Sequence, residues 1–176
     1  MLKIGAYVVV APIAIVLGLA AMKPDTFQVQ RSTSIQAPPE KVVGLISDFH
    51  RWASWSPWEK LDPAMNRTYS GPASGKGSVY EWEGNGKVGK GRMELLDVTP
   101  EKVTIKLDFI KPFEGHNMAE FAVQPQGGAS QVNWSMQGPM PFASKVMCVF
   151  VSMDKMVGGD FERGLANMKA AAENGK

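Results

Sequence analysis

Apolar and polar positions follow three different rhythms along this chain. From Ile4 to Met22 the sequence IGAYVVVAPIAIVLGLAAM carries no charged side chain. Such a run, at ~1.5 Å rise per residue, makes a helix of about 28 Å, close to the ~30 Å hydrocarbon thickness of a bilayer. It predicts a transmembrane helix over residues 4–22, with Pro12 accommodated as a kink. A cleaved signal peptide ending near Gly18-Leu19-Ala20 is the competing expectation. The run is long for that role, and its positive leader is only Lys3 and the amino terminus.

After Pro24-Asp25 the period becomes two. Phe27, Val29 and Ile35 alternate with polar residues and predict a strand over 26–35. Pro39, then Val42, Val43, Leu45 and Ile46, predict a short helix with proline inside its start. The aromatic-dense stretch Asp48–Glu59 predicts a second short helix that Pro57 ends. Strands follow at Met65–Tyr69, Ser78–Glu83, Val88–Val98, Val103–Phe109, Glu114–Val123 and Ser130–Met136. Gly84-Asn85-Gly86, Thr99–Lys102 and Gly127-Gly128 mark turns between them.

The third rhythm is helical. Phe142, Val146, Phe150, Met153, Val157, Phe161, Leu165 and Met168 recur every three or four residues and predict one long amphipathic helix. Gly158-Gly159 is its expected kink or point of close approach. Strands joined by short turns imply an antiparallel meander. A sheet with one apolar face and a helix with one apolar stripe must cover each other, so the fold class is a two-layer α+β unit. The expected division is an anchor over 1–23 and a folded body over 24–176.

Charge narrows the partners. The chain has 19 basic and 17 acidic side chains. Setting aside Lys3 and Lys23 beside the apolar run leaves a neutral body. Without a basic cluster, nucleic acid is not expected as a partner. The single cysteine, Cys148, permits no internal disulfide. Flanking charge gives no clear positive-inside bias. The very short N-terminal flank suggests an uncleaved signal anchor, a single-pass protein with its body outside the cytoplasm.

Several segments occur in an order that resembles a known superfamily. They are Ala37-Pro38-Pro39-Glu40-Lys41-Val42, Ile46-Ser47-Asp48, Trp52-Ala53-Ser54-Trp55-Ser56-Pro57-Trp58 and Gly75-Lys76-Gly77 before Tyr80-Glu81-Trp82. Gly89-Lys90-Gly91, Val132-Asn133-Trp134 and Asp160–Leu165 through Lys169 complete the set. Together they resemble the START-like superfamily with its helix-grip fold, and more narrowly the bacterial polyketide cyclase/dehydrase-like SRPBCC family. The likeness spans residues 26–172. It implies a curved antiparallel sheet gripping the C-terminal helix around an internal cavity. Relatives of this fold bind lipids, sterols, plant hormones or polyketides, and only some of them catalyse.

Candidate chemistry is sparse. His50 and His116 lack a second His or Cys at ligand spacing, so neither metal nor cofactor is expected. Glu81, Glu83, Glu94, Asp108 and Glu120 are expected to face water from their strands. Aromatic and methionine side chains say more. Trp82, Trp134, Met136, Phe150 and Met153 are candidate cavity walls, and Tyr80, Arg92 or Asn117 is the candidate polar group. Trp52 and Trp55 are expected in the core. The function expected is a membrane-anchored domain holding a hydrophobic small molecule. A cyclase or dehydratase is one alternative, and a protein-interaction domain with an exposed apolar patch is another.

Overall fold

The computed structural model describes residues 2–175, with side chains from residue 12 onward. Helix α1 spans Leu2–Ala21. Among the described residues no helix is long and apolar enough to cross a membrane. The first part of the expected span at 4–22, residues 4–11, lies outside the described side chains.

The body opens with β1 (Thr26–Ile35) and α2 (Pro39–Ile46). The second short helix expected from the sequence is instead two 3-10 turns, Phe49–Ser54 and Pro57–Lys60. Pro57 cannot donate into a continuing helix. The tryptophans take another job. Trp52 Nε1 donates to the Ile46 carbonyl at 2.9 Å, and Trp55 Nε1 to the Leu45 carbonyl at 3.1 Å. The two indoles thus satisfy carbonyls that the end of α2 leaves open.

Six strands follow: β2 (Asn66–Ser70), β3 (Val79–Glu83), β4 (Lys90–Val98), β5 (Lys102–Lys111), β6 (Gly115–Gln126) and β7 (Ala129–Pro139). The seven-stranded sheet runs β1-β7-β6-β5-β4-β3-β2 with every neighbour antiparallel. β4 begins later than expected because Gly89 takes a left-handed φ of +64°. Register shifts at Lys90/Gly91 and Leu95/Asp97 curve the sheet.

The single long C-terminal helix resolves into α3 (Phe142–Phe150) and α4 (Met153–Asn174). The break is at Val151-Ser152, not at Gly158-Gly159. Val151 is extended, and the Ser152 side chain accepts from the Lys155 N–H to cap α4. Gly158 serves close approach instead, because a Cβ there would collide with the Arg31 guanidinium. Arg31 of β1 is held at 2.7 Å by both Asp154 and Glu162, which fastens α4 along β1.

The core lies between α4, α2 and the concave face of the sheet. Trp55, Phe121, Phe161, Ile105 and Met168 are among its fully buried members. Packing of α1 is separate and falls on α3. Ala20 and Cys148 are buried outside the main core, and Lys145 closes on Asp25 at 2.6 Å.

Candidate functional site

Alternation along the strands aims one set of side chains at α4, and they do not fill the space. A cavity of about 220 Å³ remains between the sheet and the helix. Trp134 and Met136 of β7, Ala119 of β6, Leu107 and Phe109 of β5, Met93 of β4 and Tyr80 and Trp82 of β3 form the sheet wall. Val157 and Phe161 close it from α4, and Trp52, Trp58 and Glu59 from the 3-10 turns.

Two glycines make room for the wall. Gly91 has no side chain where the Trp82 ring lies across β4, and a Cβ at Gly164 would stand 2.7 Å from the Trp134 ring. Trp134 is the hub of the aromatic lining. It stacks on Phe161 with centroids 4.1 Å apart and planes 9° from parallel, and on Phe121 at 4.8 Å. Trp55 and Trp58 meet it edge-on.

The polar features of this cavity are few and converge. The Glu59 side chain is only 7% exposed. Its Oε1 accepts from the Tyr80 hydroxyl at 2.6 Å, and its Oε2 accepts from Arg67 Nε at 2.8 Å. Burial, then the hydrogen bond to Glu59, pushes the Tyr80 phenol far above its ordinary range. The hydrogen bond to Glu59 raises Arg67 further, so it stays charged. Ser56 adds a hydroxyl that makes no capping bond.

A carboxylate has about four lone-pair positions, two of which are used here, and the Tyr80 hydroxyl already spends its one donor on Glu59. The polar end therefore accepts hydrogen bonds and suits a donor. Because the Tyr80 pKa lies higher in the fold than the ~10 of a free phenol, neutral Tyr80 supports folding fully below pH ~10. That support is lost as pH rises beyond it. In an alkaline titration, Tyr80 is expected to remain un-ionised until the protein unfolds. Early phenolate absorbance from all three tyrosines would contradict this.

Of the side chains singled out in the sequence, Tyr80, Trp82, Trp134 and Met136 meet in the cavity wall. The other four lie outside it. Arg92 is on the convex face with Glu94, 2.9 Å away, because it has the opposite parity to Met93. Asn117 shares the concave parity, but its side chain fills the space over Gly138. Phe150 is exposed at the end of α3, since the helix break turns that stretch away from the sheet. Met153 packs on the core at the start of α4 without reaching the cavity. Glu59 and Arg67 are the functional candidates that the sequence reading missed. The available signal was a carboxylate directly after Trp58 in a tryptophan-dense segment.

Solved structures share the fold at low identity. The protein CV1439 of Chromobacterium violaceum is 17% identical with a TM-score of 0.57, over 86% of this chain and 99% of its own. The di-domain ARO/CYC StfQ of the steffimycin biosynthetic pathway is 9% identical with a TM-score of 0.64. It covers 85% of this chain and 51% of its own. DynU16, a protein in the dynemicin biosynthetic locus, is 16% identical with a TM-score of 0.58, over 88% of this chain and 49% of its own. No curated protein matches. With the sheet, the gripped helix and the cavity in place, a family model matching residues 26–173 fixes the assignment: the chain belongs to the family described as polyketide cyclase / dehydrase and lipid transport.

Proposed function

We propose that this protein binds a small apolar molecule carrying a hydroxyl or similar hydrogen-bond donor. The apolar part fills the cavity and the donor meets Glu59 and Tyr80. The observation that carries this reading is an apolar enclosure with one acceptor-rich end. The family description, which names both cyclases and lipid transport, supports it. Size narrows the ligand. The cavity of about 220 Å³ exceeds the ~150 Å³ that holds benzene and falls below the ~300 Å³ at which drug-sized pockets begin. One small ring system or a short chain fits that range. Its burial contributes about 25 cal/mol per Å².

The proposal includes a tether. Residues 4–22 carry no charge and are long enough as a helix to span a bilayer, which supports a single-pass anchor; the body is proposed to lie outside the cytoplasm. The tether keeps the cavity close to lipid, where an apolar ligand concentrates.

Native mass spectrometry and organic extraction of the full chain test the binding reading. A retained small molecule is expected, and it should be lost in Ala119→Leu, whose side chain grows into the cavity. Cavity filling commonly adds about 0.5–2 kcal/mol of stability. The variant is therefore expected to be at least as stable as the parent while losing ligand. Equal ligand content in both proteins would sink the cavity reading.

A second reading, a cyclase or dehydratase, draws on the same Glu59–Tyr80 pair, because a carboxylate in an apolar enclosure can take up and return a proton. Turnover unchanged in both Glu59→Gln and Tyr80→Phe would exclude it.

A further inference from the structure

The antiparallel order gathers the starts of β1, β2, β4 and β6 and the ends of β3, β5 and β7 at one end of the sheet. Helix α1 joins the body there, and α3 leaves from there. The cavity opens there too, since Val88, Phe109 and Val157 line it and are only partly covered.

The exposed large apolar side chains are concentrated at this same end. At the end of β5 Ile110 is exposed, and in the turn to β6 Phe113 is 81% exposed. On α3 and its exit, Phe142, Met147, Phe150 and Val151 are exposed, Phe150 to 72%. Met156 continues the set onto α4. Outside α1, the other exposed large apolar residues among those described are Met22, just past the end of α1, Leu61, near this end, and Tyr69, which stacks on His50. The patch runs on into α1, whose Ile13, Ile15, Leu17 and Leu19 are exposed beside α3.

Charge at this end is one-sided. Asp25, Glu83, Glu114 and Asp154 each hold a cationic or imidazole partner, and Asp62 accepts two backbone N–H groups. Lys23, Lys60, Lys87, Lys111 and Lys155 take part in no ion pair among the described residues. Free lysines interleaved with exposed aromatic and aliphatic side chains match the chemistry of an anionic lipid interface, which attracts each such cation and takes up the apolar tips.

We infer that the cavity-mouth end of the body is a membrane-docking face: the β5–β6 turn and the α3–α4 junction insert into the headgroup layer of the bilayer that α1 enters. This deepens the tethered-binder reading and rests on it for its occupant. Docked in this way, the cavity opens onto lipid, and an apolar ligand passes between bilayer and cavity without crossing water. The β4–β5 and β6–β7 turns, at the other end of the sheet, face the aqueous phase.

The test uses the full chain in vesicles of phosphatidylglycerol and phosphatidylcholine. Variants that each add one cysteine, Phe113→Cys, Phe150→Cys, Ile15→Cys and Glu101→Cys, carry an environment-sensitive fluorophore. Wild type taken through the same labelling serves as the blank and is expected to stay unlabelled, because Cys148 is buried. Lipids bearing a nitroxide near the headgroup are expected to remove about half the emission at positions 113 and 150, as for groups held ~5–10 Å into the boundary. They should leave position 101 unchanged, and a deep nitroxide should quench position 15. Lys87→Glu with Lys111→Glu should reduce quenching at 113.

Quenching at 15 without quenching at 113 and 150 overturns the docking face and leaves the tether intact. Quenching at 113 and 150 without 15 supports the docking face and removes the tether. Labels at 113 and 150 shielded from water but untouched by either nitroxide, in a chain of doubled mass, would overturn the inference in favour of a second copy.

Discussion

Trp134→Ala is expected to lower the folding free energy by about 3–5 kcal/mol, the cost of truncating a large buried aromatic. Trp134 is only 3% exposed and touches four other aromatic rings. Its loss would join the vacated space to the cavity and leave Phe161 without its stacking partner. The measurement is a urea titration, in which the midpoint should fall with the slope unchanged.

Trp134→Phe separates packing from hydrogen bonding. The indole Nε1–H has no hydrogen-bond partner among the described residues. Removing an unsatisfied buried donor relieves a desolvation penalty, while the ring face against Phe161 survives. The phenylalanine variant is expected to cost clearly less than the alanine variant, because it removes only the smaller part of the indole and keeps a ring on Phe161. A phenylalanine variant as damaging as alanine would show that the N–H group is bonded and that the stack is not the source of the stability. The alanine variant should also accept a bulkier ring than the parent, which links the packing result to ligand size.

The architecture was written in periodicity, and the site was written in contacts. Two-residue alternation at Val103, Ile105 and Leu107, and at Val132, Trp134 and Met136, depends only on which side of a strand faces the core. All six of these side chains are buried or half-buried on the inner face. The helix period from Phe142 to Met168 located two helices but could not separate them. The break depends on the Ser152 cap and an extended Val151, each a single local event that leaves the three-and-four spacing undisturbed. For that reason the spacing assigns Phe150 to the cavity wall, whereas in the fold it is exposed outside it.

Arg92 shows the converse. Its parity already placed it on the face opposite Met93, and proximity in sequence to apolar residues did not outweigh that geometry. Glu59 was the hardest to find. A carboxylate after Pro57-Trp58 reads as a helix end facing water. Its burial follows from Tyr80, 21 positions away, and Arg67, eight positions away, arriving on two strands that the sheet folds over it. No local pattern reports a convergence of that kind.

Glu59→Ala is expected to match Trp134→Ala in size for a different reason. The carboxylate is buried, and both of its oxygens are bonded. Removing it strands the Arg67 charge at a partly buried position and the Tyr80 hydroxyl at a buried one. Breaking a buried pair from one side costs about 3–5 kcal/mol. Tyr80→Phe removes a single hydrogen bond to a charged acceptor and should cost about 1.5–3 kcal/mol. The two losses share one bond, so the double variant is expected to fall short of their sum by about 0.5–3 kcal/mol, the range for groups in direct contact.

The ligand supplies the decisive contrast. Tyr80→Phe leaves the Glu59 carboxylate facing the cavity with an acceptor position freed. It should retain a donor-bearing ligand at least as well as the parent. Glu59→Gln presents an amide in place of the carboxylate and should weaken that ligand about tenfold or more, the difference between a charge-assisted and a neutral hydrogen bond at ~1.4 kcal/mol per decade. Isothermal titration with the extracted molecule reads both. If Glu59→Gln binds as tightly as the parent, the carboxylate holds Arg67 and Tyr80 in place for folding alone, and the apolar wall recognises its ligand without it.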